Sequence, residues 1–139
     1  MIHQSVLLAL APAQSFELFT SQIGLWWPPD RRHLNDPNSQ LFLLADGRFY
    51  ERANNGMELD LGRVRLWESP QRIVLDFYMG TDAAHPTEVE IRFDPEGDGT
   101  RVSVNHRPRE ISIDLWDKRV AVFERSWEAV LSALRGAVR

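Results

Sequence analysis

The chain has 139 residues and a net charge of −4; 43% of its residues are hydrophobic, 26% are charged and none is cysteine. These values predict a single folded domain over residues 1–139 and exclude disulfides, thiolate catalysis and cysteine-ligated metal sites. Because the basic residues are dispersed and the charge balance is acidic, we expect no nucleic-acid partner.

The amino-terminal residues predict a strand rather than a targeting or membrane segment. Residues 2–10 are fairly apolar on both faces of an extended chain. The apolar stretch at 6–11 is far shorter than the roughly 20 residues that cross a bilayer, and no Lys or Arg precedes it. We therefore expect no secretory signal, no membrane insertion and a cytoplasmic protein.

A short helix over residues 12–23 follows in the prediction. Pro12 suits the first turn of a helix, where its missing N–H costs nothing. Phe16, Phe19 and Ile23 follow at helical spacing, and Gly24 is expected to end the helix. Two tryptophans, two prolines and a polar stretch come next, and they predict a loop or broken helix.

Six strands are predicted between residues 40 and 107. They cover residues 40–45, 48–53, 57–68, 72–79, 87–93 and 100–106, joined by short turns such as Asp46-Gly47. Such a succession is typical of an antiparallel meander. Gly62 lies inside the third of these strands and predicts a bulge or bend.

The carboxyl-terminal segment predicts a long amphipathic helix of about 20 residues. Its apolar positions are spaced alternately by four and three residues: Trp116, Val120, Phe123, Trp127, Val130 and Leu134. A stripe with two tryptophans and a phenylalanine needs a large concave partner, and a sheet curled around the helix provides one. We expect Trp127 to contact the concave face.

The order of these elements resembles the helix-grip fold of the START/Bet v 1-like superfamily, in particular its Hsp90-ATPase activator homologue branch. The similar segments are "APAQSFELFT" with "WWP", "DGRFYER", "LGRVRLWESPQRIVLDF" and "TEVEIRFDPEGDGTRVSVNH". The resemblance implies an α+β fold, with a curved antiparallel sheet of about seven strands wrapped around the carboxyl-terminal helix and a short helical insertion after the first strand. Members of the family include ligand carriers, cyclase-like enzymes and stress-response proteins, so the fold does not decide the function.

In such a fold the Trp-Trp-Pro segment lies at one end of a cavity between the long helix and the sheet. We interpret Trp26 and Trp27 as a lid or end wall, with plugging of the core as the alternative. An aromatic cavity with few polar anchors is the usual form of a small-molecule site. The predicted ligand-binding residues are Trp26, Trp27, Phe49, Phe77, His106, Phe123 and Trp127.

Two titratable residues are candidates for chemistry. Alternation with Val102 and Val104 directs His106 inward, either as a satisfied structural group or as an acid or base. Glu51 shares the face of Phe49, and it is either a buried polar group or is turned to solvent by a bulge. Asp76 is expected to be solvated on the outer face.

The residues, together with the activities that the resemblance implies, leave three functional hypotheses open. The first is binding of a small, largely hydrophobic molecule in the cavity, and the second is a cyclase or hydrolase-like enzyme that uses Glu51 or His106. The third is a stress-response or chaperone-regulating interaction module. No established catalytic signature is present and the four histidines lack metal-ligand spacing, so we predict neither a metal nor a cofactor. A homodimer is left open.

Overall fold

Residues 1–138, which the computed structural model describes, contain seven strands in one sheet. The strands are β1 (Ile2–Leu8), β2 (Gln40–Leu43), β3 (Arg48–Arg52), β4 (Glu58–Glu68), β5 (Arg72–Phe77), β6 (Thr87–Glu96) and β7 (Gly99–Pro108). Their spatial order is β1-β7-β6-β5-β4-β3-β2, and every neighbouring pair is antiparallel. The predicted meander and its seventh strand are confirmed.

The helices lie on the concave side of this curled sheet. They are α1 (Pro12–Phe19), α2 (Ile23–Trp26) and the long α3 (Ile113–Gly136), with single 3-10 turns at Pro29–Arg31 and Glu110–Ser112. Helix α3 packs near β1, where Gln4 Nε2 donates a hydrogen bond of 2.9 Å to the Glu124 carbonyl oxygen. The predicted α+β helix-grip architecture is confirmed. Within residues 1–138, no helix has the length and apolar character that crossing a membrane requires.

The helix predicted over residues 12–23 is divided into two. Thr20 Oγ1 donates to the Phe16 carbonyl oxygen at 2.7 Å, and α1 ends there. The expected stop at Gly24 is wrong, because this glycine lies inside α2. A Cβ at Gly24 would lie 3.2 Å from the Leu41 carbonyl oxygen, so the missing side chain allows α2 to approach β2 closely.

The irregularity predicted at Gly62 is confirmed. The register of β3 against β4 shifts after Phe49, which pairs with Gly62, so that Tyr50 pairs with Asp60. A Cβ on Gly62 would overlap the backbone carbonyl oxygen of Asp76 on β5. Glycine therefore permits the strands to pack closely where β4 is irregular.

The core lies between the concave face and α3. The inward residues of β6 and β7 are buried, as are five of the six predicted stripe positions of α3: Trp116, Phe123, Trp127, Val130 and Leu134. Val120 is partly buried against them. The periodic apolar pattern therefore identified the buried face of α3 correctly.

Asp76 departs from its predicted environment. It lies on the outer face as expected, but its side chain is only 4% exposed because the guanidinium groups of Arg65 and Arg109 bind its carboxylate. Arg109 also lies 3.5 Å from a Glu88 carboxylate oxygen. The prediction of a solvated Asp76 is wrong, because two long side chains replace water around it.

Candidate functional site

A cavity of about 280 Å³ lies between α3, the segment 77–80 and the segment 27–33. Its volume is close to the lower end of the range for small-molecule sites, which begins at about 300 Å³. The lining residues are Trp27, Asp30, Arg31, Arg32, His33, Phe77, Met79, Gly80, Val122, Phe123, Ser126, Trp127 and Val130. One wall is thus aromatic and aliphatic, and the other carries polar and charged groups.

The aromatic wall is formed by rings that support one another. The Trp127 ring centroid lies 6.4 Å from that of Trp27 and 5.7 Å from that of Phe77. Phe49 packs behind them, 6.1 Å from Trp27 and 6.4 Å from Phe77. Because each ring is held by its neighbours, the wall is formed without any ligand.

Four of the predicted lining residues meet on this cavity: Trp27, Phe77, Phe123 and Trp127. Trp26, Phe49 and His106 do not line it. The Trp26 indole N–H donates to the Leu18 carbonyl oxygen at 2.7 Å, and its ring lies 5.4 Å from Phe19. The core-plug alternative therefore describes Trp26, whereas Trp27 forms a wall.

His106 points inward as predicted, but both of its ring nitrogens are engaged. Trp127 Nε1 donates to His106 Nδ1 at 3.0 Å. Because an indole N–H only donates, Nδ1 must be unprotonated and Nε2 carries the hydrogen, which it donates to Thr87 Oγ1 at 2.7 Å. Burial, and secondly the positive amino terminus of the chain, lower the pKa of His106 to about 3. The imidazole is therefore neutral at physiological pH.

Rings also separate His106 from the cavity. The ring centroids of Phe123, Trp116 and Phe77 lie 4.6, 5.0 and 5.3 Å from that of His106, and Trp127 lies at 6.1 Å. The side chain is completely buried. In this arrangement His106 acts as a structural acceptor and donor inside the core.

Glu51 is buried too, and it fastens the loop that borders the cavity. Its Oε1 accepts the His33 backbone N–H at 2.8 Å and its Oε2 accepts that of Leu34 at 3.1 Å. Its exposed fraction is 0%, so the alternative that a bulge turns it to solvent is wrong. Glu51 and His106 do not bond to each other, because each group has other partners.

Arg32 holds the same loop from the other side. Its guanidinium donates to the carbonyl oxygens of Gly24 at 2.9 Å, Trp27 at 3.0 Å and Ser39. Burial lowers the pKa of Arg32, and the nearby negative charge of Glu51 acts in the opposite direction. Glu51 and Arg32 together hold the segment 27–34 against the sheet and α2.

The charged wall was missed by the sequence interpretation, which treated residues 30–33 only as loop. The available signal was the run Asp30-Arg31-Arg32-His33, which follows the Trp-Trp-Pro-Pro segment directly. Across residues 1–138, no three His, Asp or Glu side chains lie close enough together to hold a metal ion.

Three solved structures are similar over nearly the whole chain. CalC from Micromonospora echinospora, a self-sacrificing resistance protein, shares 23% identity with a TM-score of 0.73, covering 97% of this chain and 91% of that one. Txn09, an anthrahydroquino-γ-pyrone synthase, shares 26% identity with a TM-score of 0.64, covering 99% and 96%. The Aha1 dimer from Colwellia psychrerythraea shares 15% identity with a TM-score of 0.59, covering 99% and 94%.

The structural likenesses to CalC and Aha1 support the helix-grip fold. No curated protein sequence matches the chain. The sequence model of the family described as "Activator of Hsp90 ATPase homolog 1-like protein" matches residues 9–139, nearly the entire chain. The chain therefore belongs to the Activator of Hsp90 ATPase homolog 1-like family.

Proposed function

We propose that this protein binds a small, largely apolar molecule in the cavity between α3 and the sheet. The observation that carries the proposal is the preformed aromatic wall of Trp27, Phe77, Phe123 and Trp127 around a space of about 280 Å³. Rigid rings offer a ligand a large contact area at little cost in side-chain entropy. We place this binding in the cytoplasm, and the lack of cysteine agrees with a reducing compartment.

The cavity beside α3 favours small-molecule binding over an interaction module that binds no ligand. A module that works through its surface has no need of a pocket between its helix and its sheet, whereas a carrier does. The family name and the Aha1 dimer keep a chaperone partner and a homodimer as secondary proposals. Mass measurement by light scattering tests the homodimer directly.

An enzyme on the same scaffold is the second candidate, and the 26% identity to the synthase Txn09 favours it. The groups first considered for acid–base work, Glu51 and His106, are both bonded and away from the cavity. His33 instead lies at the rim of the cavity, and its exposed imidazole is the candidate group. In this hypothesis the His33→Gln variant loses turnover of an aromatic polyketide substrate but still binds it.

The binding proposal is tested with the neutral fluorophore N-phenyl-1-naphthylamine. We expect saturable fluorescence enhancement with the wild-type protein. Ser126 lines the cavity, so Ser126→Phe should fill the space and abolish the enhancement. Ala121 is exposed on the same helix and does not line the cavity, so Ala121→Phe is the matched control and should bind normally.

Absence of saturable binding to the wild type would refute the proposal. Equal binding by the two phenylalanine variants would also refute it, because the fluorophore would then sit elsewhere. Native mass spectrometry of the purified protein then looks for a co-purified small molecule, which would identify the natural ligand.

A further inference from the structure

Arg31 is a cationic residue on the cavity wall. It closes the 3-10 turn Pro29–Arg31, lines the cavity beside Trp27 and is partly buried. Among residues 1–138, its guanidinium forms no ion pair, and its Nε is buried without a hydrogen-bond partner. Nε is closed off from the cavity, but the guanidinium as a whole has no counter-ion, so an anionic group that reaches its terminal nitrogens would gain charge-assisted hydrogen bonds.

The other charged groups on the rim do not neutralise Arg31. Arg32 is used by three backbone carbonyl oxygens and lies near the negative charge of Glu51. Asp30 and His33 are exposed, and Asp30 does not pair with Arg31. Because water screens the exposed carboxylate of Asp30, Arg31 is left beside the cavity without a close counter-ion.

We propose that the ligand is an aromatic acid whose anionic group is bound by Arg31 while its rings pack against Trp27 and Trp127. The inference rests on the proposed function and narrows it to one chemical class. The planar fork of a guanidinium matches carboxylate or sulfonate oxygens with two parallel hydrogen bonds. Glu51 and Arg32 hold the loop that carries Arg31, so the backbone from which the guanidinium extends is fixed before the ligand arrives.

A matched pair of fluorophores tests the proposal. 1-Anilinonaphthalene-8-sulfonate and N-phenyl-1-naphthylamine share one ring system and differ by the sulfonate. The wild type should bind the anionic probe about tenfold more tightly than the neutral probe, because a charge-assisted hydrogen bond in a partly desolvated site contributes about that much affinity. Added salt should reduce this preference.

Two substitutions of Arg31 distinguish the effect of its charge on probe binding from the effect of its guanidinium geometry. Arg31→Gln should lose the tenfold preference and bind the neutral probe within about twofold of the wild type, whereas Arg31→Lys should keep part of the preference. Arg63 is exposed on β4 and lies outside the cavity, so Arg63→Gln removes the same charge as a control and should change neither affinity.

The outcomes distinguish failure of this inference from failure of the proposed function. If the wild type binds both probes equally, or if Arg31→Gln weakens both to the same degree, the anion preference is refuted and the apolar cavity stands. If the wild type binds neither probe, the proposed function is refuted as well. Should Arg31→Gln fail to fold, the wild-type comparison and Arg31→Lys still decide the question.

Discussion

Lowering the pH from about 7.5 to about 4.5 should reduce the free energy of unfolding by about 3 kcal/mol through His106 alone. Burial lowers the pKa of His106 in the folded protein to about 3, whereas an unfolded histidine titrates near 6.5. Between these two pKa values the histidine is protonated in the unfolded chain but stays neutral in the folded protein. This contribution to stability is complete above about pH 6.5 and is lost as the pH falls toward the folded pKa.

The magnitude follows from the separation of the two pKa values. Each unit of pH below about 6.5 costs about 1.4 kcal/mol, and about pH 4.5 lies two units below it. The full effect below the folded pKa would be about 5 kcal/mol. Carboxylates titrate over the same range, so the contribution of His106 must be isolated with a variant.

His106→Gln is that variant, because an amide offers both a donor and an acceptor but no titration in this range. Urea unfolding of both proteins should give a stability difference that changes by about 3 kcal/mol between about pH 7.5 and 4.5. Trp127→Phe removes the N–H that holds Nδ1 unprotonated, so it should raise the pKa of His106 and cost about 1–3 kcal/mol at neutral pH.

Nitrogen NMR of the imidazole reports the same arrangement directly. We expect an unprotonated Nδ1, a protonated Nε2 and no titration between about pH 5 and 8. Glu51→Gln should leave these signals unchanged, because Glu51 and His106 do not pair. A His106 that titrates near 6.5, or parallel pH profiles of wild type and His106→Gln, would refute the buried network.

Two further substitutions test the anchoring of the loop by Glu51 and the close packing of β4 against β5 at Gly62. The amide of Glu51→Gln keeps a single acceptor oxygen, so one of the two loop N–H groups, that of His33 or of Leu34, loses its partner and the variant should lose about 2 kcal/mol in urea unfolding. Glu58→Gln at an exposed ion pair should have a far smaller effect, and equal losses would contradict the anchoring role of Glu51. Gly62→Ala forces a Cβ into the backbone of the neighbouring strand and should cost about 1–3 kcal/mol, whereas Gly136→Ala, whose Cβ meets open space, should be neutral or slightly stabilising. An unchanged thermal midpoint for Gly62→Ala would show that β5 can yield there.

The sequence by itself determined the order of strands and helices, because local periodicity carries that information. The alternation of Val102, Val104 and His106 placed the imidazole inward, and the spacing of the α3 stripe identified its buried face. The bulge at Gly62 was also predictable, since a glycine within a strand interrupts an otherwise regular pattern.

Only the tertiary structure decided which partners the polar groups have. Asp76 is buried because Arg65 on the neighbouring strand β4 and Arg109, just after β7, both reach its carboxylate. Glu51 accepts hydrogen bonds from a loop 17 and 18 residues earlier. Periodicity describes the face of an element and not the chain that covers it.

Tertiary contacts also decide the different positions of the two adjacent tryptophans. Trp26 donates to Leu18 and fills the core, whereas Trp27 faces Trp127 across the cavity. Adjacent residues in an irregular segment have no fixed period, so the direction of each ring depends on what packs against it. The cavity lies where a loop, a strand end and a helix come together, with Arg31 beside it and no ion pair to Arg31 among residues 1–138. Local sequence patterns do not specify contacts between elements so far apart in the chain.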